Sequence, residues 1–204
     1  MARSLLACVF LLALSIPARA DNLTTLLEKG AMARVDVDKA GKFDAVVSVV
    51  DVEVPASRLW AVLNDYESYR FFMPRVASVT SSPGPAATIL VKWNIDTPLV
   101  TTRYTNSVTV DAAKMLMKAR TIEGDMVGSH YDWTIIPLGD NKCRMFHTAW
   151  PRNMNGIVDT LDDEHQSLSI GVAVSSVMAT IRALKGRAEL LEKNAKKANV
   201  VVAP

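Results

Sequence analysis

Cysteine is nearly absent, with Cys8 and Cys143 the two in 204 residues. A secreted chain stapled by disulfides needs several bridges, so this fold must rest on its core. An excess of either charge is also missing. The chain has 23 Lys and Arg against 21 Asp and Glu, which supplies no basic patch and argues against a nucleic-acid partner. Aromatic residues are 6% of the chain, so any place where they gather is informative. Catalytic signatures are lacking too: there is no GxSxG elbow, no P-loop and no GxGxxG. The three His and Cys143 form no HxxxH or CxxC pair, so neither a metal nor a cofactor is expected.

What the chain does have is apolar residues, at 50% of the sequence. That is enough for one good core in one domain. Some of this content is concentrated at the start. Arg3 precedes an apolar run over residues 5–16, and Ala18-Arg19-Ala20 follows. This is the three-part pattern of a secretory signal, with cleavage expected after Ala20. A bilayer-crossing helix needs about twenty apolar residues, and this run is shorter. The reading is a signal peptide over residues 1–20, a domain over 21–198 and a tail over 199–204, in a secreted protein of the bacterial periplasm. Removal of residues 1–20 takes away Arg3 and Arg19 and no acid, so the expected mature chain carries equal numbers of basic and acidic residues.

Periodicity then orders the domain. Residues 22–29 read as a short helix ended by Gly30. Val35 and Val37 alternate with acids in a strand, and residues 43–54 form a longer Val-rich strand. Residues 57–63 and 66–72 read as two short helices, closed by Pro74. After Pro74 the period becomes two, which gives strands over 75–81, 88–95, 100–110, 114–122, 127–137 and 142–150, joined by short turns. A final helix over 162–196 carries Ile170, Val174, Val177, Met178, Ile181, Leu184 and Leu191 on one stripe, with Arg182, Lys185, Glu189 and Lys193 opposed. The fold class is α+β: a curved antiparallel sheet wrapped around a long C-terminal helix, with room for a cavity between them.

Particular motifs now suggest a relationship. The stretch Val52-Glu-Val-Pro-Ala-Ser-Arg-Leu-Trp-Ala-Val-Leu-Asn-Asp-Tyr66, with Arg70-Phe-Phe-Met-Pro-Arg-Val76, resembles the opening of START-type proteins and their relatives, the polyketide cyclases and coenzyme Q-binding proteins. Asp96-Thr-Pro98 before Arg103-Tyr104 resembles the Pro-containing turn and strand of START domains. Trp133-Thr-Ile-Ile-Pro-Leu138 and Cys143-Arg-Met145 resemble the paired strands before the final helix. The similarity covers about residues 33–190. In one respect the chain departs from the pattern: Tyr104 follows Arg103 directly, with no Asp between them.

The resemblance implies a helix-grip fold with a hydrophobic tunnel under the last helix. Alternation then proposes its lining: Trp93 on one strand, Tyr104 on the next, then Met117, Tyr131 with Trp133, and Met145 with His147; Phe72 and Met73 would stand at the mouth. Methionine and aromatic side chains suit an adaptable apolar pocket, although the same stripe is what an ordinary packed core produces. His147 is the one polar member, fit to orient a ligand oxygen or to act as a base. His130 and His165 read as exposed. Arg103, Arg120 and Asp132 fall on the opposite, solvated face, so no catalytic residue is assigned.

The function expected is non-covalent binding of a lipid or other hydrophobic small molecule, for transport or sequestration, with at most transient membrane contact. Two other readings use the same residues. One is a polyketide cyclase or aromatase, which needs an inward acid–base pair. The other is a protein-interaction module with a filled core.

Overall fold

The computed structural model describes residues 18–96, 101–152 and 166–201. Eight strands form one antiparallel sheet: β1 Met32–Val37, β2 Phe43–Val52, β3 Val76–Pro83, β4 Ile89–Asp96, β5 Thr101–Asp111, β6 Leu116–Gly124, β7 His130–Gly139 and β8 Lys142–Trp150. Their order is β1-β2-β8-β7-β6-β5-β4-β3. Strands β3 to β8 run as a meander of short connections. β2 breaks the sequence, because the chain leaves it through two helical segments and crosses to the far edge before β3 begins. β8 then returns to pair with β2, placing Met145 opposite Val50 and His147 opposite Ser48.

Among the described residues three α-helices accompany the sheet: α1 Ala18–Glu28, α2 Ala56–Asn64 and α3 Gln166–Val201. Helix α1 starts at Ala18 and so runs across the processing point expected at Ala20. The apolar run over residues 5–16, His165 and the Thr97-Pro98 turn lie outside the described residues. α3 extends through Val201, past the helix end expected at residue 196.

Helix α3 packs chiefly on β1 and β2, and beside α2. It does so through the stripe that helical spacing predicts: Ile181 and Leu184 are completely buried, and Ala188 and Val177 join them. Burial of each large side chain stabilises the fold by about 1.5–3 kcal/mol. The arrangement is the α+β helix-grip fold.

Two polar expectations differ from the structure. Lys185 and Glu189 do not face solvent opposite the stripe. Lys185 Nζ donates to the Asp51 carbonyl at 2.8 Å, and Glu189 Oε1 accepts from the Glu53 amide at 3.2 Å. Their long stems carry the charged ends past the apolar stripe to the polar backbone where β2 stops. His130 is half-buried rather than exposed, because its ring stacks on Trp150 at 4.4 Å. In addition, the second short helix is a 3-10 helix, Tyr66–Phe71, too tight to present a conventional helical face.

Candidate functional site

Alternation divides each strand between the face turned to α3 and the opposite face. On the inner register stand Ile89, Val91, Trp93 and Ile95 of β4, and Thr102, Tyr104, Asn106 and Val108 of β5, with Trp93 directly across from Tyr104 and Val91 across from Asn106. Met117, Ala119 and Thr121 of β6 continue it, followed by Tyr131, Trp133 and Ile135 of β7. Every charged side chain of β4 to β6, and Asp132 of β7, falls on the other register. Arg103 and Arg120 are exposed, and Asp132 approaches Lys118 at 4.0 Å. The inner register of these strands is therefore uncharged, and the charge that borders it comes from α3, whose Arg187 guanidinium lies 5.7 Å from the Phe72 ring centroid.

This surface is covered unevenly. Where β2, β8 and β7 meet beneath α2 and α3, packing is tight, with Val50, Val52, Cys143 and Met145 at 0–2% exposure. Over β4 and β5 the inner aromatics Trp93 and Tyr104 are only half-buried, as is Tyr131 on β7. The 3-10 helix borders this strip. Its rings form a chain in which Phe72 meets Tyr69 edge-on at 5.3 Å, Tyr69 meets Trp93 at 5.5 Å, and Trp93 stacks on Tyr104 at 6.1 Å. Such offset and edge contacts are the arrangements that aromatic quadrupoles favour.

The nine residues singled out from sequence thus fall into two groups. Met145, Met117, Met73, Trp133 and His147 are buried in the packed region. Phe72, Trp93, Tyr104 and Tyr131 keep part of their surface accessible. His147 is set in a stack, 3.6 Å from the Trp133 ring centroid and 6.2 Å from that of Tyr131. Its Nδ1 lies 3.2 Å from the Asp132 backbone carbonyl. A carbonyl can only accept, so Nδ1 carries the proton and the ring is the Nδ1–H tautomer. Burial pushes this imidazole down to about 4, which keeps it neutral at physiological pH.

Sequence reading missed a polar cluster on the same face. Asn106, Thr121 and Ser129 are buried, at 5%, 5% and 1% exposure. Thr121 donates its hydroxyl to Asn106 Oδ1 at 2.8 Å. Ser129 Oγ accepts from the Arg152 amide and donates to the Arg152 carbonyl. Burial pushes the Tyr131 phenol up to about 12, with Ser129 and Thr121 hydroxyls acting in the opposite sense. The Tyr104 phenol is raised as well, by burial first and by the nearness of Tyr131 second. Both tyrosines are therefore neutral hydrogen-bonding groups at any physiological pH. Asn106 and Thr121 share the two-residue alternation that picked out Tyr104 and Met117, and this was the signal available.

A bulge brings the cluster together. Ile122 has no partner on β5, which pairs Thr105 with Glu123 and Asn106 with Thr121. Gly124 closes the same corner at φ +90°, where an added Cβ would meet the Arg103 carbonyl oxygen at 2.2 Å and the Tyr104 Cα at 2.8 Å. Neither backbone atom can yield cheaply. Gly124→Ala is expected to cost about 1–3 kcal/mol of stability and to displace Tyr104. Chemical denaturation together with the Tyr104 ring signals in an NMR spectrum checks this.

The model of the family described as polyketide cyclase / dehydrase and lipid transport matches residues 52–163. The chain belongs to this family. A search of curated proteins finds no match. Solved structures resemble it in fold. Zhui aromatase/cyclase from Streptomyces sp. R1128 is 20% identical with a TM-score of 0.59, over 78% of this chain and 94% of that one. A START superfamily protein from Mycobacterium smegmatis is 15% identical at 0.61, over 72% and 99%. Norcoclaurine synthase from Thalictrum flavum, solved with dopamine and hydroxybenzaldehyde, is 13% identical at 0.53, over 82% and 91%. At these identities the likeness establishes the fold, and it is the fold that family membership and the START-type motifs pointed to. It fits a hydrophobic ligand-binding protein.

Proposed function

We propose that this protein is exported, with cleavage after Ala20, and binds a lipid or other hydrophobic small molecule non-covalently between the sheet and α3. Its role in this reading is transport or sequestration. The observation that carries it is the half-buried aromatic strip of Trp93, Tyr104 and Tyr131 on an inner strand register without charge, bordered by Phe72, beside the packed core at Val50, Val52, Cys143 and Met145. A monomer gains nothing from leaving three large rings partly wet on its inner face. Each Å² of apolar ligand surface transferred there from water contributes about 25 cal/mol. The segment from Phe72 to Pro74 would move to admit the ligand, and contact with a membrane would be transient.

The cyclase reading requires an inward acid–base pair, and His147 does not supply one. Burial pushes its imidazole down to about 4, and no charged side chain of β4 to β7 shares the inner register with it to complete a pair.

Native mass spectrometry of the protein purified from an exporting host tests the proposal. The expected spectrum shows a chain beginning at Asp21, with an apolar adduct released by collisional activation. A clean apo mass, together with failure to bind any fatty acid, sterol or quinone, would overturn the binding reading. An intact residue 1–20 segment would overturn the export reading.

A further inference from the structure

We propose that the outward stripe of α3 is a docking surface for an anionic lipid bilayer, on which the helix lies flat with its apolar side chains among the head groups. This rests on the transient membrane contact proposed above and names the surface that makes it. The surface stands on the outside of the helix, so it does not depend on a molecule binding between the sheet and α3.

The inward side of α3 belongs to the core, where Val177, Ile181, Leu184 and Ala188 are buried. The opposite side of such a helix is ordinarily polar and charged. Here its first half is neither, since no charged residue occurs from Gln166 to Ile181. At the helical repeat Leu168, Val172, Ala179 and Leu190 fall close to one line, opposite the buried side chains. Leu168, Val172 and Leu190 are 52%, 42% and 50% exposed. Single apolar residues scattered over a surface need no explanation, but a repeated line of them marks a contact.

Charge names the partner. The line continues past Leu190 to Lys193 and Lys197, and Arg182 stands beside it; all three are exposed. Among the described residues the ion pairs of lysines on α3 are made by Lys185 and Lys196 instead. The helix has two acids, and both are engaged away from the line: Glu189 accepts from the Glu53 amide, and Glu192 pairs with Arg58 of α2. On the other flank the Arg187 guanidinium lies 5.7 Å from the Phe72 ring centroid. Phe71, next in the chain, is 69% exposed with the Arg70 guanidinium 4.5 Å over its ring. The 3-10 helix that carries them has one acid, Glu67. Exposed Leu, Val and Phe bordered by cations suit an anionic bilayer, because the apolar groups enter the head-group region while the cations meet phosphate. A second copy of the chain fits poorly, since it would bring only more cations to the contact.

Sedimentation with sucrose-loaded vesicles tests this on the protein purified from an exporting host. One set of vesicles is phosphatidylcholine alone, and the other includes about one quarter phosphatidylglycerol. Half-binding to the anionic set is expected at a lipid concentration at least about tenfold lower, and added salt raises it. Lys193→Gln combined with Lys197→Gln raises the requirement for anionic lipid about tenfold. Leu168→Gln combined with Val172→Gln raises it severalfold. All four side chains are exposed, so urea midpoints stay near that of the parent, and the lysine variant serves alone if the other does not fold. A thiol-reactive, polarity-sensitive dye adds the orientation, because the native Cys143 is buried. The dye shifts to the blue on anionic vesicles when attached at Val172→Cys, but not at Thr109→Cys on the outer register of β5. Equal binding to both sets, or no binding to the anionic set, overturns the proposal. So does a blue shift at Thr109→Cys with Val172→Cys unchanged. None of these outcomes bears on binding between the sheet and α3, which native mass spectrometry reads separately.

Discussion

Asp51→Asn is expected to lower the unfolding free energy by about 3–5 kcal/mol, the usual result of removing one partner from a buried ion pair. Asp51 is 7% exposed on β2 and accepts a bidentate pair of hydrogen bonds from Arg144 of β8, at 2.6 and 3.1 Å. Lys142 stands 3.6 Å away, and the Asp51 carbonyl receives Lys185 of α3. The substitution would leave the Arg144 guanidinium, with its side chain 15% exposed, without a countercharge at the seam that closes β2 onto β8. Urea unfolding with an unchanged m-value measures the loss, and a change below about 1 kcal/mol would place this pair among ordinary surface bridges. The Arg144 hydrogen bonds hold the Asp51 carboxyl below the usual range. A carboxylate lowered in the folded state stabilises fully above its unfolded value, about 4, and that contribution disappears as pH falls below it.

His147 acts in a separate window. Its folded value of about 4 lies below the ordinary 6.5 because burial disfavours the imidazolium. For a group depressed in this way, the unfolded chain binds the proton first. Stability is therefore complete above pH 6.5 and falls as pH drops toward 4, by about 3 kcal/mol in total at 1.4 kcal/mol per unit. His147→Gln, which keeps a hydrogen-bond donor but cannot titrate, is expected to be less stable at pH 7.5 and nearly flat between 6.5 and 4. Urea midpoints across that range read the difference. An unchanged acid slope in the variant would show that other groups cause it.

Much of this was legible in the chain because each strand has one wet face and one dry face. The alternation in residues 142–150 places Cys143, Met145, His147 and Ala149 inward, and all four are buried. Helical spacing found Val177, Ile181 and Leu184 in the same way. Four things were not legible, for separate reasons. Lys185 and Glu189 have the composition of a solvated face, and only the end of β2 gives them partners. Asn106 and Thr121 are polar residues in an apolar register, so a search for hydrophobic stripes passes over them. The bulge at Ile122 fixes which residues of β6 face Asn106, and a one-residue insertion leaves no local mark beyond Gly124. Tyr66 and Tyr69 belong to a 3-10 turn, where helical periodicity does not identify the buried side. Burial raises both phenols, that of Tyr66 to about 12, and Tyr69 Oη donates to the Leu63 carbonyl at 2.6 Å.

The central claim is that an apolar molecule binds on the inner face over β4 and β5. An NMR titration of isotope-labelled protein with N-phenyl-1-naphthylamine tests it most directly, since Trp93 and Trp150 report from opposite registers. Saturable shifts are expected at the Trp93 indole N–H and the Asn106 side-chain amide, with the Trp150 indole unmoved. Shifts at Trp150 with Trp93 and Asn106 silent, or changes that never saturate, would contradict it.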